Sequence, residues 1–350
     1  MINSISLVIP SFNEAKNIQE VYSRSLETIK KMNIQKYEII FVENGSKDNS
    51  LELLKKINLE DKSVKIISDW GRTNSGIKDM VGFLASEFQI DCTADREIIQ
   101  GFDRDSSNIE GRADALSRPI NEQECALILA TCQKAKIPIT ISAGRTNLNG
   151  SATPIGGMVL SIERMITPSI QVDLIKQTIT TPVGMYLEEM RKEALKQSQN
   201  TLHYPVDPTS RKEAMVGGTL SCNASGFVPG PTGATRYWTE NLDFITLSGY
   251  KISCNRNEYI SKDGEFILGF ENENKTLKIP SYPRPDIKNA SGPYSDENGE
   301  IDFVDLIVGS EGIFGLITSV TFRLKTMPDE FLDMFFTLTS ESEAVMFHQF

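Results

Sequence analysis

The chain has 350 residues, 39% of them hydrophobic, which is enough for two domains with ordinary cores. A formal net charge of −11, from 47 acidic against 36 basic residues, argues against nucleic-acid or anionic-membrane partners, since both need clustered basic charge. The five cysteines (Cys92, Cys125, Cys132, Cys222, Cys254) form no CxxC pair, no segment approaches the roughly 18 apolar residues of a membrane helix, and "MINSISLVIP" lacks a basic signal-peptide start. No zinc site, no redox dithiol and a cytoplasmic setting are the expectations.

Two β-branched runs open the chain, Ile5–Pro10 and Tyr37–Ser46. Between them Ile18, Val21, Leu26 and Ile29 recur at helical spacing, with Asn13 as the expected cap. A second amphipathic helix follows in "DNSLELLKKI", and a third strand in "VKIIS". Strand–helix–strand–helix–strand is half of a doubly wound α/β domain, whose ligands sit at the carboxyl ends of strands. Those ends carry the polar turns "PSFNE" and "ENGSKD". "DWGRTNSG" reads as a junction, and "IKDMVGFLASEF" as a helix. Asn121–Lys136 is a further helix with Cys125, Ile128, Leu129 and Cys132 on one face, so these cysteines are expected as small buried hydrophobes. Asn121 with Glu124 has capping-box spacing. "IPITIS" and "GGMVLSIERM" read as strands.

Between those strands runs "SAGRTNLNGSATPIGG", Ser142–Gly157, nearly devoid of bulky side chains. Such a stretch after a strand can turn several main-chain N–H groups toward one anion. Gly144 and Gly150 permit positive φ, Arg145 offers a guanidinium, and Thr146, Asn147 and Asn149 offer side-chain donors. It is neither a Walker A nor a GxGxxG loop. Two further glycine-broken stretches lie far along the chain: "VDPTSRKEAMVGGTLSCNASG" (Val206–Gly226), and "VDLIVGSEGIFGLITSVTFRL" (Val304–Leu324), read as an apolar strand interrupted at Gly309–Gly312. Together they suggest one extended ligand threading between backbone walls.

Two resemblances follow. Pro10–Glu14 and Val42–Asp48 resemble the family 2 glycosyltransferases, in which acids at the positions of Glu43 and Asn44 hold the nucleotide of a sugar donor. The three glycine-rich segments, in order and spacing, resemble the FAD-binding domain of vanillyl-alcohol-oxidase-type (PCMH-type) flavoproteins, in the D-lactate/glycolate dehydrogenase branch. That resemblance spans about Met80 to Met327. It implies an α+β, two-lobed FAD domain behind an N-terminal α/β, half-Rossmann, GT-A-like fragment. The expected division is 1–69 for the fragment, 70–111 for a junction and lead-in, 112–328 for the FAD domain, and 329–350 for the start of a substrate cap.

The second resemblance implies that Ala143, Gly144, Arg145, Thr146 and Asn147, with Gly150 and Ser151, hold the FAD pyrophosphate. Pro208, Ser210, Gly217, Gly218, Ser221 and Asn223 would line the flavin and ribityl chain, and Ile317 would touch the cofactor through its backbone. Family members that tether FAD use a histidine in or near this loop; none is present, so the flavin is expected to be noncovalent. The implied reaction takes a hydride from a 2-hydroxy acid to flavin N5 and passes the electrons to an unidentified acceptor. No catalytic base is identifiable: His203 reads as a packing or surface residue, and His348 has no evident partner. Arg236 reads either as an anion contact near the flavin or as a surface salt bridge. Asp103 and Asp105 in "GFDRDSS" have two claimants, a glycosyltransferase metal site or a surface lead-in loop; "NIEGRADALSRP" fits the second, and no metal is expected. A nucleotide-sugar glycosyltransferase and an inactive FAD-binding fusion are the alternatives.

Overall fold

A computed structural model describes residues 4–348, apart from 12, 33, 35, 44, 45, 47, 69–73, 229, 230, 271, 272, 280, 284–291, 331, 333 and 336. Phe12, Asn44, Gly45, Lys47 and the Asp69–Thr73 part of the junction motif therefore lie outside the described residues.

The chain opens with β1 (Ser4–Ser11), α1 (Ile18–Lys31), β2 (Lys36–Glu43), α2 (Ser50–Glu60) and β3 (Val64–Ser68). The three strands make a parallel sheet in the order β1-β2-β3, with Ile9 opposite Phe41 and Phe41 opposite Ile66. Alternation along β2 sends Ile39 and Phe41 to one face and Ile40 and Val42 to the other. Ile39 and Phe41 join Ile18 and Ile29 of α1 and Leu54 and Ile57 of α2 in one small core. Asn13 does not cap α1: it has a φ of 56°, and Asn17 stands at the helix start. The Asn17 and Ile18 N–H groups donate to Glu14 O, so the "PSFNE" turn ends in a main-chain turn instead of a side-chain cap.

The next helix, α3 (Asn74–Phe88), joins the fragment to the rest. Ile77, Met80, Val81 and Leu84 pack in one continuous core that contains both Ile40 and Val42 of β2 and the centre of the following domain. Asn74–Gly76, expected as turn, begin this helix. Two strands flank a short helix, β4 (Cys92–Thr93), α4 (Arg96–Ile99) and β5 (Ala115–Ser117); then come α5 (Glu122–Lys134), β6 (Ile139–Ser142) and β7 (Met158–Ser161). The sheet order is β4-β5-β7-β6, with the last three strands parallel. Asn121 caps α5 through Glu124 N at 2.8 Å, and the Glu124 carboxylate accepts Ile120 N at 3.0 Å. Cys125 and Cys132 are fully buried on its inner face, and all five cysteines are free.

The second lobe runs through β8 (Gln171–Asp173), β9 (Thr178–Pro182), α6 (Leu187–Gln197), β10 (Leu202–His203), α7 (Val216–Ser221), α8 (Thr235–Trp238), β11 (Thr239–Thr246) and β12 (Lys251–Asn255). A hairpin, β13 (Glu265–Phe270) with β14 (Glu273–Lys278), precedes α9 (Phe303–Ile307), β15 (Gly315–Arg323), β16 (Lys325–Thr326) and α10 (Glu341–His348). Its main sheet is antiparallel, in the order β12-β11-β15-β9-β8. One expected strand is a helix, and one glycine-rich stretch forms another. "VDLIV" is α9, because Asp302 caps it through Val304 N at 2.7 Å. "VGGTLS" is α7, a helix that two glycines let pass close to Val183 and Ala143.

Candidate functional site

Strand β6 delivers the chain into the 143–152 loop, where Arg145 (φ 55°) and Gly150 (φ 83°) reverse the backbone. Among the described residues, no main-chain N–H from Ala143 to Gly150 donates to a protein oxygen. The unpaired N–H groups of the partly buried stretch from Ala143 to Asn147 each cost free energy unless an external acceptor takes them. A concave run of such groups is an anion nest.

Several of the loop's polar side chains are bound within the protein. Asn147 Nδ2 approaches Asp105 Oδ2 at 2.6 Å, Asn149 Oδ1 at 2.9 Å and Ser151 Oγ at 3.1 Å. Asn149 Nδ2 donates to Glu311 Oε1, 162 positions along the chain. The Arg145 guanidinium lies 4.5 Å over the Phe102 ring, a cation–π contact that restrains it. The open donors at this loop are therefore main-chain N–H groups, while most of its side chains are held within the protein.

The facing walls come from α7, the turn after α9 and the start of β15. A Cβ on Gly144 would sit 2.2 Å from Glu213 O, so the loop runs in contact with the 213–214 backbone. A Cβ on Gly217 would meet Ile162 Cδ1 at 2.6 Å, and one on Gly218 would sit 3.1 Å from the Ala143 Cβ. Gly312 (φ 80°) passes over Ile141. The result is a narrow cleft of about 140 Å³ backed by Ile141, Ile162, Met215 and Leu316. Cys222 stands in it, its thiol pushed up to about 11 by burial and then by the Glu311 charge, so it is protonated at neutral pH.

Of the loop residues expected at the pyrophosphate, Ala143, Gly144, Arg145, Thr146, Asn147 and Ser151 line this cleft, as do Ser210, Gly217, Gly218, Ser221 and Ile317 from the distant segments. Gly150, Pro208 and Asn223 stand outside the lining. Gly150 faces Ile109, Pro208 O accepts Arg211 N in a turn, and Asn223 Oδ1 accepts Arg236 N at 2.9 Å. Arg236 is neither a cleft residue nor a surface ion pair: it is buried, with Nη2 donating to Val308 O at 2.5 Å. His203 is half-buried in β10, opposite Lys325; the side chain of His348 lies outside the described residues.

The "GFDRDSS" acids form no metal site, and the described residues contain no cluster suited to one. Nor are both at the surface. Asp103 is buried, paired with Arg96, and accepts Ala113 N at 3.0 Å, while Asp105 faces the loop. Sequence reasoning missed Cys222, Glu311 and Gly312 in the lining, although all three lie inside the motifs it singled out. It also missed the apolar backing of Ile141, Ile162 and Met215, which reads in the sequence as ordinary strand and core.

Comparison with known proteins gives the following. Residues 113–255 match the FAD binding domain family, and residues 6–75 match glycosyl transferase family 2. A D-2-hydroxyglutarate dehydrogenase of Xanthomonas citri pv. viticola is 28% identical over 215 residues, covering 61% of this chain and 37% of that protein. A D-lactate dehydrogenase of Archaeoglobus fulgidus is 30% identical over 209 residues, covering 59% and 38% respectively. The chain thus spans less than half the length of these curated relatives. A chitooligosaccharide oxidase structure shares the fold at a TM-score of 0.51 and 13% identity, covering 71% of this chain and 44% of that one. The converging glycine-rich segments and the family match make residues 113–255 similar to an FAD binding domain on an α+β, PCMH-type fold, and residues 6–75 similar to glycosyl transferase family 2.

Proposed function

We propose that the chain binds FAD noncovalently in the cleft between its two lobes and serves the oxidation of a 2-hydroxy acid. The observation that carries this is the open run of N–H groups from Ala143 to Asn147, on residues that line the cleft opposite glycine-lined walls from two distant segments. A dinucleotide diphosphate supplies the acceptors that run lacks, and the glycine-lined walls would flank the rest of such a ligand. Bound FAD would supply a hydride acceptor; the protein's part is binding, orientation and water exclusion. Main-chain N–H groups would hold the diphosphate, and Ile141, Ile162, Met215 and Leu316 would keep water from the ring. Cys222, held as a neutral thiol, adds no charge there at neutral pH.

No proton step is assigned to a side chain, because among the described residues no histidine lines the cleft. The names of the relatives, D-2-hydroxyglutarate and D-lactate dehydrogenases, support the substrate class. In this reading residues 112–328 are the cofactor domain, 70–111 its lead-in, 329–350 the start of a substrate cap, and 1–69 a scaffold.

Reconstitution with excess FAD should give flavin absorption bands near-stoichiometric with protein. A protein that stays colourless overturns the reading. Bleaching by D-lactate, D-2-hydroxyglutarate or glycolate would establish the substrate class; colour without bleaching would leave a binding domain alone.

A further inference from the structure

We propose that Asp105 is the positioning residue of the cofactor loop, using its carboxylate to hold Ala143–Ala152 so that the main-chain N–H groups face a diphosphate. This rests on the FAD reading above and deepens it.

The segment around Asp105 behaves as a splint. Its base is fixed by Asp103, which is buried, paired with Arg96, and bound to Ala113 N. From there it reaches the loop at three places. Ser106 N and Oγ both donate to Arg145 O, at 3.1 and 3.0 Å, near the loop's start. Asp105 Oδ2 accepts Asn147 Nδ2 at 2.6 Å in the middle and Ala152 N at 3.2 Å at the end. The other oxygen accepts Ser107 N at 2.9 Å, which orients the carboxylate. Every one of the bonds that reach the loop uses a loop carbonyl, a loop side chain or the N–H of Ala152. None consumes an N–H between Ala143 and Gly150, so the splint fixes the loop and leaves its open donors free. The network runs on from Asn147 through Asn149 to Glu311, tying in the third cleft segment.

The sign of the charge makes the inference decidable. A carboxylate beside a diphosphate site repels the ligand by Coulomb's law. Burial works to raise the Asp105 pKa, but the hydrogen bonds from Ser107, Asn147 and Ala152 outweigh it and hold the group below the usual carboxylate range. Asp105 is therefore charged when the ligand binds. If charge were its only effect, neutralising it would tighten binding. If it positions the loop, neutralising it weakens binding, because an amide cannot accept on both oxygens.

The test measures FAD and ADP dissociation constants, by flavin fluorescence and calorimetry, for the full chain and for Asp105→Asn, Asp105→Ala and Ser106→Ala. Loss of a hydrogen bond to a charged group corresponds to about tenfold in affinity, and loss of a neutral one to about threefold. Asp105→Asn should weaken FAD and ADP together by about tenfold, Asp105→Ala by more, and Ser106→Ala by about threefold, with apo-protein melting nearly unchanged. Equal or tighter binding by Asp105→Asn overturns the proposal. So does an affinity loss that merely tracks a fall in apo-protein melting. Should Asp105→Asn fail to fold, Ser106→Ala decides, since it keeps the Ser106 N–H bond; unchanged affinity in that variant overturns the splint. A wild-type chain that binds neither FAD nor ADP defeats the cofactor reading itself.

Discussion

Two polar turns at the carboxyl ends of parallel strands can be set side by side. In the N-terminal fragment, the turns after β1 and β2 satisfy one another: Asn13 N donates to Ser46 Oγ, Glu14 N to Ser50 Oγ, Ala15 N to Asp48, and Ser46 N to the buried Glu43 carboxylate. After β6, the loop from Ala143 to Gly150 leaves its N–H groups open. Both stretches look alike in sequence, rich in Gly, Ser and Asn. What separates a structural turn from a ligand cradle is where the donors go. By that measure the described donors of the fragment's strand-end turns are met by their own side chains, and the loop at the lobe boundary has stayed open. On its other face, Ile40 and Val42 share one core with α3.

The largest test of this contrast is Ile40→Ala. Ile40 is only 1% exposed and shares its core with Met80 and Leu84, so its truncation should cost about 2–5 kcal/mol in urea unfolding. Both parts of the chain should melt together, with FAD affinity of the folded protein unchanged. Two separate transitions, with only the first moved, would mean that the fragment is an independent domain. Next in size is Gly144→Val, which drives a side chain into Glu213 O at the cleft wall. Overpacking of this kind costs about 1–3 kcal/mol, and here it should appear mainly as weaker FAD binding, read by fluorescence titration. Smaller is Glu43→Gln. It weakens one charge-assisted bond to Ser46 N and should lower stability by about 1–2 kcal/mol without touching FAD affinity. In the same samples, a UDP-sugar with manganese should leave wild-type melting unmoved; protection would reopen the nucleotide-sugar reading of the fragment.

The parallel fragment sheet was legible because β2 and β3 are dense β-branched runs, and α5 because Asn121 and Glu124 cap it. The three cleft segments were legible because only glycine tolerates backbones as close as Gly144 to Glu213 or Gly217 to Val183. Helix α9 was not, since "VDLIV" has strand composition and only the Asp302 cap, one residue before the apolar run, turns it helical. Asp105 was read as a surface loop residue because its partners, Asn147 and Ala152, lie more than forty positions away. Arg236 was misread for a similar reason, since a main-chain carbonyl, Val308 O, accepts from it, and sequence carries no mark of that. Where the signal is a local steric need, sequence shows it; where it is a distant main-chain partner, it does not.

The smallest effect concerns His203, which the fold treats as a packing residue outside the cleft. Burial first, then the Arg191 and Lys325 charges, hold its pKa below the ordinary value. The folded state thus resists protonation more than the unfolded chain does. At pH above about 6.5 both states carry neutral histidine and nothing is lost. As pH falls below that value the unfolded chain takes up the proton first, so stability declines until the lowered folded pKa is passed, and then levels off. The structural carboxylates with lowered pKa, Asp48, Asp61 and Asp105, titrate only below about 4, so the two windows are separable. His203→Gln should flatten the slope of urea stability between about pH 5 and 7 while leaving FAD affinity in that range unchanged. A variant with the wild-type slope would show that His203 protonates as readily in the folded chain as in the unfolded one. A variant that loses FAD affinity would place His203 among the groups that shape the cleft, and the contrast between closed packing and open donors would then have to extend beyond the 143–152 loop.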